Sequence, residues 1–395
     1  MQGLMMDYPL TLHHFLERAG RLFPNKEIVS KTADGLIRYT YADFYQRVHR
    51  LGRALRRLGA APGDRVATLA WNTSRHLELY FAVPCYGAVL HTLNLRLPKD
   101  QLTYIINHAE DRVIFVDASL APLLEEIRGE IPCVKQFVVM DDGGGETGLQ
   151  PGVDYEELIA SEQGKPEAYP AKETDAAAMC YTSGTTGNPK GSVYSHRAIF
   201  LHSYGLAMAD TFALSERDTL LQIVPMFHAN GWGLPFAAVM TGAKIVLPGR
   251  HPQVRDLVEL IQNERATVMG GVPTIWIGIH DLLQQEKFDL SSIRMAATAG
   301  SAIPRQVLEV FDREYGVRLV QAWGMTETTP IATVSVLKSH LEAKPEGERY
   351  AIRAKQGIPV AGVDLRAVDA DGREVPWDGQ TMGELQVRGD RKSVV

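Results

Sequence analysis

Apolar and polar positions along the chain alternate between two periods. Short apolar runs such as RVATLAW at 65–71, DRVIFVD at 111–117 and VKQFVVMD at 134–141 are too brief for helices and read as buried strands. Between them the spacing lengthens: in SRHLELYFAVPCYGA, Leu77, Tyr80, Phe81 and Tyr86 recur at helical intervals, and APLLEEI predicts another helix. After the glycine-rich DDGGGETG the alternation resumes at Asp175. AAAMCYT reads as a strand, a helix starts at Ser195, DTLLQIVP follows, and a helix is predicted across GWGLPFAAVMTG. AKIVLPG, RDLVELIQNE, ATVMGG, PTIWIGIHDLLQ, IRMAATAG, PRQVLEVFDREYG and VRLVQAWG continue the pattern. Repeated β-α units predict an α/β protein of mostly parallel, helix-covered sheets. Beyond Gly357, GVDLRAVDADGREVP sets strand residues around an Asp-Gly turn and GELQVRG supplies a last short strand, the pattern of a small antiparallel β subdomain. The predicted division is a first α/β subdomain with an amino-terminal helix at 1–170, a second at 171–356, and the small β subdomain at 357–395.

Composition narrows the classes. A chain of 395 residues has ample sequence for a large core in two or three domains. A net charge of −6 argues against a general nucleic-acid binder, which needs a basic stripe. Cys85, Cys133 and Cys180 lie far apart with no C-x-x-C pair, so they read as reduced core residues and not as a zinc site. The start, MQGLMMDYPL, has no basic region and meets Asp7 and Pro9 early, so no signal peptide is expected. No uncharged apolar run approaches membrane-spanning length. These features predict a cytoplasmic globular protein.

One stretch breaks the pattern. YTSGTTGNPKGSVYSH, at 181–196, packs hydroxyls and glycines ahead of Pro189 and Lys190, between two apolar runs. Backbone N–H groups of such a loop, with its Ser and Thr hydroxyls, can surround phosphate oxygens while Lys190 neutralises their charge. The Walker A pattern does not fit, because Pro189 precedes Lys190 and Gly191 follows it. A chance polar loop is the alternative, and its composition argues against that.

YTSGTTGNPKG resembles the phosphate-binding signature of the adenylate-forming superfamily of acyl-CoA synthetases, luciferases and peptide-synthetase adenylation domains. PMFHANGW at 225–232, GSAIP at 300–304 and QAWGMTET at 321–328 match in the same order, and GELQVRG matches more weakly. YGAVLHTLNLRL at 86–97 resembles the fatty acyl-CoA synthetases in particular. A peptide-synthetase domain would be expected to carry an aspartate near FHANGW, which is not there. The resemblance implies attack of a fatty acid carboxylate on the α-phosphorus of ATP, then thioester formation with CoA. It implies that Thr182 and Glu327 hold Mg²⁺, and that Ser183, Gly184, Thr185, Thr186 and Lys190 attend the phosphates. Thr326 would donate to the α-phosphate, and His228 would stand near the carboxylate at the mouth of an acyl tunnel. Gly300, Ser301, Gln321, Ala322 and Gly324 would contact adenine. Trp323 would stack on it, a tryptophan where the family commonly has tyrosine. Trp232, between Gly231 and Gly233, would be a gate that swings when ATP binds.

Taken alone, TETTP also fits a helix cap and first-turn acid, and Trp323 a core residue. The acyl length, or an aryl acid instead, is not legible in the sequence. The amino-terminal stretch PLTLHHFLERAGRLFPNKEIVS resembles a homodimer contact of long-chain acyl-CoA synthetases, and peripheral membrane contact is left open. In the family, GELQVRG leads into a ribose-binding aspartate, a hinge and a small carboxy-terminal domain with a catalytic lysine. Nothing in 390–395 resembles these, so the expectation is a chain without that domain, whether by truncation or a shifted reading frame, and impaired as a ligase. A nucleotide- and acyl-binding fragment without full catalysis is the rival reading.

Overall fold

The helices begin where local chemistry starts them. Thr40 and Asp43 form a reciprocal capping box ahead of Tyr41–Arg57, and the Ser195 hydroxyl accepts from Ala198 N at 3.1 Å to open His196–Ala207. Thr73 caps Ser74–Cys85 in the same way, accepting from His76 N at 3.3 Å. A computed structural model describes residues 3–143, 145, 148–149, 152–164, 166, 169–182 and 187–389 of the chain.

Among the described residues, two large sheets and one small one carry the fold. The nine-stranded sheet runs, edge to edge, through Ile358–Pro359, Ile331–Val334, Leu319–Gly324, Met295–Thr298, Val268–Gly271, Thr219–Leu221, Lys244–Leu247, Glu27–Thr32 and Gly35–Thr40. Its six central strands are parallel and its outer pairs antiparallel. The seven-stranded sheet runs through Gly152–Asp154, Gln136–Met140, Asp111–Asp117, Arg65–Leu69, Val89–Thr92, Ala176–Tyr181 and Gly191–Ser195, parallel except for the last pair. Val363–Val368 pairs with Glu384–Gly389 as a separate antiparallel ribbon whose Asp-Gly turn closes through Gly372 N to Asp369 O at 3.0 Å. The fold is therefore the α/β class with a small antiparallel sheet.

The sheets do not follow chain order. The early 27–40 hairpin is hydrogen-bonded into the sheet built mostly from 219–359, and the later 176–195 hairpin completes the sheet built mostly from 65–154. One continuous core fills the space between the two sheets. Val66, Leu90 and Phe115 from one sheet and Ile28, Ile245 and Val268 from the other bury the central helices, among them Ser74–Cys85 and Leu234–Thr241. Separate apolar clusters coat the outer face of each sheet. The layering is helix, sheet, helix, sheet, helix, which leaves the carboxyl ends of the central strands as the place for ligands.

The helix expected from Ser195 is there, with Ser195 as its cap, and Gly191–Ser195 ahead of it pairs back on Ala176–Tyr181, so the segment between the two strands closes a hairpin. One element differs from the sequence reading. The helix expected across GWGLPFAAVMTG starts only at Leu234, because Ala229–Gly233 coil in the opposite hand.

Candidate active site

The phosphate-loop hairpin is clamped at its base, where Thr182 N donates to Lys190 O at 2.9 Å and Thr182 Oγ1 to the same carbonyl at 3.4 Å. Lys190 is exposed and Pro189 buried, which anchors the backbone and leaves the ammonium outside. Ser183, Gly184, Thr185 and Thr186 lie outside the described residues. Behind the hairpin, the Tyr181 ring lies 5.1 Å from that of buried His91, and its hydroxyl bonds His108 Nδ1 at 2.6 Å. Burial pushes the Tyr181 phenol above its ordinary range.

The second cluster forms at the end of Leu319–Gly324. The Gln321 amide braces the neighbouring loop, accepting from Ile303 N at 3.0 Å and donating to Ala322 O at 2.8 Å and Ser301 O at 3.4 Å. Gly300, Ser301, Gln321 and Ala322 are thus held around one strand end, with half-buried Trp323 beside them. Gly324 must be glycine, since a Cβ there would lie 2.0 Å from Pro330 O. The register shifts at this point, and the chain turns through Thr326–Thr328. The Tyr194 hydroxyl, on the second strand of the phosphate hairpin, donates to Thr326 O at 2.6 Å across 132 residues of sequence. Burial raises the Tyr194 phenol well above its ordinary range, with the Cys180 thiol and the Glu327 carboxylate adding to the effect. Glu327 is half-buried and lines a cavity of about 500 Å³ with Met325, Thr328 and residues 384–387.

The third cluster is the turn after Pro225. Asn72 Oδ1 accepts from Met226 N at 2.7 Å, and the Tyr80 hydroxyl donates to Met226 O. Ala229, Asn230, Gly231, Trp232 and Gly233 then all take positive φ, from 38° to 69°, one turn of left-handed helix. Each non-glycine residue there costs about 1–2 kcal/mol. The turn is held by Gln222 Nε2, which donates to Gly231 O at 3.1 Å, and by Asn230 Nδ2, which donates to Thr92 Oγ1 at 3.2 Å. Strain of this kind, over-determined by its surroundings, concentrates at functional sites. Trp232 is 6% exposed, its ring packed on Gly270, where a Cβ would come within 3.1 Å of it. His228 reaches solvent at the edge of the turn, while the protein around it and then Arg96 hold its pKa below the ordinary imidazole value.

The fold brings the Thr326–Glu327 turn onto the phosphate hairpin, and it brings the Trp232 turn onto the strand that leads into that hairpin, through Asn230 N to Cys180 Sγ at 3.3 Å. It gathers no group of three or more Asp, Glu, His or Cys able to hold a metal among the described residues. A half-buried carboxylate with a hydroxyl suits a hard divalent cation such as Mg²⁺, whose other ligands would be phosphate and water oxygens. Sequence reasoning passed over Tyr194, Thr92, Asn230 and Gly270, and read Cys180 as a reduced core residue; it is a buried free cysteine here. For Tyr194 a signal existed: in GSVYS, Ser192 and Tyr194 alternate inward as a strand requires.

Comparison with known proteins gives the family and the overall fold. The profile of the AMP-binding enzymes matches residues 16–394. The long-chain-fatty-acid–CoA ligase of Thermus thermophilus is 49% identical over 386 residues, 98% of this chain and 70% of that protein. The medium-chain-fatty-acid–CoA ligase of Ectopseudomonas oleovorans is 42% identical over 393 residues, 98% of this chain and 72% of that one. The crystal structure of the anthranilate CoA ligase AuaEII with anthranoyl-AMP superposes with a TM-score of 0.86 at 25% identity, covering 100% of this chain and 72% of that one. The chain belongs to the AMP-binding enzyme family, among its acyl-CoA ligases.

Proposed function

We propose that this chain binds ATP and a fatty acid and forms the acyl adenylate that is then passed to CoA. A carboxylate oxygen attacks the α-phosphorus, the bond to the β-phosphate bridging oxygen breaks, and pyrophosphate leaves. The CoA sulfur then attacks the acyl carbon and AMP departs. Two anions must meet, so the site needs cations and aligned donors where charge builds. Lys190 supplies the exposed cation at the base of the phosphate hairpin, with Ser183, Gly184, Thr185 and Thr186 as the loop's donors. Thr326 donates to the α-phosphate. Thr182 and Glu327 would hold Mg²⁺, which lowers the repulsion between the phosphates and the incoming carboxylate. Gly300, Ser301, Gln321, Ala322 and Gly324 receive the adenine, with Trp323 against its face. His228, kept neutral near pH 7, borders the carboxylate without adding a second fixed charge. Trp232 closes the acyl path over Gly270.

The observation that supports this reading is the Tyr194–Thr326 hydrogen bond, which holds the Thr326–Thr328 turn against Gly191–Ser195, the second strand of the hairpin. ATP–pyrophosphate exchange dependent on a fatty acid, followed by thioester formation when CoA is added, tests it; no exchange with fatty acids of any length would overturn it. We also assign the chain to the cytoplasm as a homodimer. Leu4, Met5 and Met6 are exposed, Tyr8 lines a groove of about 1010 Å³ along His13–Leu22, and light scattering should give twice the monomer mass.

A further inference from the structure

At the amino end of Leu319–Gly324, opposite the end that leads into the Thr326 turn, three arginines line one cavity of about 500 Å³. Arg318 directly precedes the strand, and Arg349 and Arg353 lie on the helix Glu346–Arg353. The strand is six residues long, about 20 Å at the ordinary rise, so this cavity is remote from the nucleotide residues proposed above. Arg353 is satisfied within the protein. It is 9% exposed, pairs with Asp312 and donates to Leu319 O at 3.3 Å, while the Tyr350 hydroxyl donates to the same Asp312 carboxylate at 3.0 Å. Glu346 is likewise paired, with Arg313 at 2.8 Å. Arg318 and Arg349 make no side-chain hydrogen bond or ion pair among the described residues, and Arg349 Nε is buried without an acceptor. Burial and then the charge of Arg353 lower the Arg318 pKa from its ordinary value, with Asp312 and Glu342 opposing them.

We propose that this cavity is a second anion site, separate from the catalytic one, which takes a phosphomonoester. Two guanidinium groups without partners balance the charge of nearly two that such a phosphate carries near pH 7. Each presents a planar fork that matches a pair of phosphate oxygens. A phosphate oxygen is also the acceptor that Arg349 Nε lacks, and a buried donor left unmet is costly. The volume is that of a small-ligand pocket, and half-buried Leu337 and buried Tyr350 give the organic part of the ester an apolar wall. Among the described residues Glu342 is the carboxylate of this cavity that has no ion pair. Its charge favours that of Arg318 in the empty cavity and opposes an incoming anion. A ligand must outweigh that opposition, which selects a dianion over a simple carboxylate.

The test is calorimetric titration of the 395-residue chain with phenyl phosphate, and separately with inorganic phosphate, at low salt. Phenyl phosphate should bind saturably with a Kd of about 1 mM or tighter. Arg318→Gln and Arg349→Gln should each weaken this binding about tenfold or more, through loss of a charge-assisted donor. Glu342→Gln should tighten it about threefold, because the opposing charge is gone. Lys190→Ala should leave it unchanged, since the phosphate hairpin is not the binder. Arg318 is exposed, so Arg318→Gln should keep the parent melting temperature, and it decides the matter if Arg349→Gln does not fold. Absence of saturable binding overturns the proposal, as does binding that survives loss of Arg318. Binding that is lost in Lys190→Ala and kept in Arg318→Gln also overturns it, and places the phosphate at the catalytic hairpin. Inorganic phosphate should bind more weakly than the ester, and equal or tighter binding overturns the ester as the ligand class. Failure of ATP–pyrophosphate exchange would count against the functional reading alone, so the two fail separately.

Discussion

The Tyr194 hydroxyl donates to the carbonyl of Thr326 at 2.6 Å, and this bond fixes the distance between two motifs that lie 132 residues apart. Tyr194 itself is 2% exposed and Thr326 is half-buried, so the bond is shielded from water on the tyrosine side. Removing the hydroxyl should leave a poorly satisfied acceptor at the Thr326 turn, at about 1–3 kcal/mol. Tyr194→Phe is expected to slow ATP–pyrophosphate exchange by roughly 5- to 150-fold. The KM for fatty acid should stay near its starting value, since the acyl path is untouched. Exchange at the unsubstituted rate would show that the Thr326 turn needs no such brace.

Glu327 is the half-buried carboxylate of the 500 Å³ cavity that exposed Glu384 also lines. Glu327→Ala should weaken binding of Mg·ATP by roughly 100-fold, because the proposed metal ligand and its charge are lost together. Glu327→Gln keeps the size and an oxygen donor, so it should fall between the two. Nucleotide affinity measured at several Mg²⁺ concentrations decides the matter. An alanine variant that still binds Mg·ATP normally would move the metal site elsewhere.

Gly270 is the surface on which the Trp232 ring rests. A methyl group there would come 3.1 Å from Trp232 Cζ3 and 3.2 Å from Cε3, close enough that the ring must shift. Gly270→Ala should destabilise the protein by about 1–3 kcal/mol through overpacking. It should also change the KM for fatty acid while leaving that for ATP nearly constant, because the strain falls on the acyl side alone. Equal changes in both would argue that the substitution disturbs the sheet and not the gate.

Acid should destabilise the fold through two histidines outside the site. His76 and His196 are 0% and 1% exposed, and burial lowers each from 6.5 to about 4. The Trp71 carbonyl can only accept, so His76 Nδ1 carries the proton toward it at 2.9 Å and Nε2 accepts from the Thr68 hydroxyl at 2.9 Å. The unfolded chain binds these protons first, so stability is full above pH 6.5 and falls as pH drops toward 4, by about 3 kcal/mol for each group. Urea unfolding followed between pH 7 and 4 should show this loss, with a shallower slope in His76→Gln. Equal slopes in the two proteins would rule His76 out as a source.

The periodicity of the chain was enough to place most helices and strands, because burial of one face imposes a spacing that local sequence must carry. Ser195 as a helix cap and the Asp371–Gly372 turn were legible for the same reason, since each is satisfied within four residues. The motifs of the site were legible as strings of residue types, and the order of those strings pointed to the family. Their partners were not. Cys180 and Thr92 look like ordinary strand residues, and nothing local distinguishes a thiol packed in a core from one that bonds a distant turn.

Sequence alone determined the α/β class and the order of the family's motifs, among them the hydroxyl- and glycine-rich stretch that ends at Lys190. Only the tertiary structure decided that the 27–40 hairpin joins the far sheet and that the phosphate loop closes a hairpin. The left-handed coil of 229–233, and the meeting of Tyr194 with Thr326, were decided there too. Pairing between distant strands depends on which apolar faces remain to be buried once local elements exist. A strained turn persists only when hydrogen bonds from several elements outweigh its cost, and no window of sequence contains all of those partners.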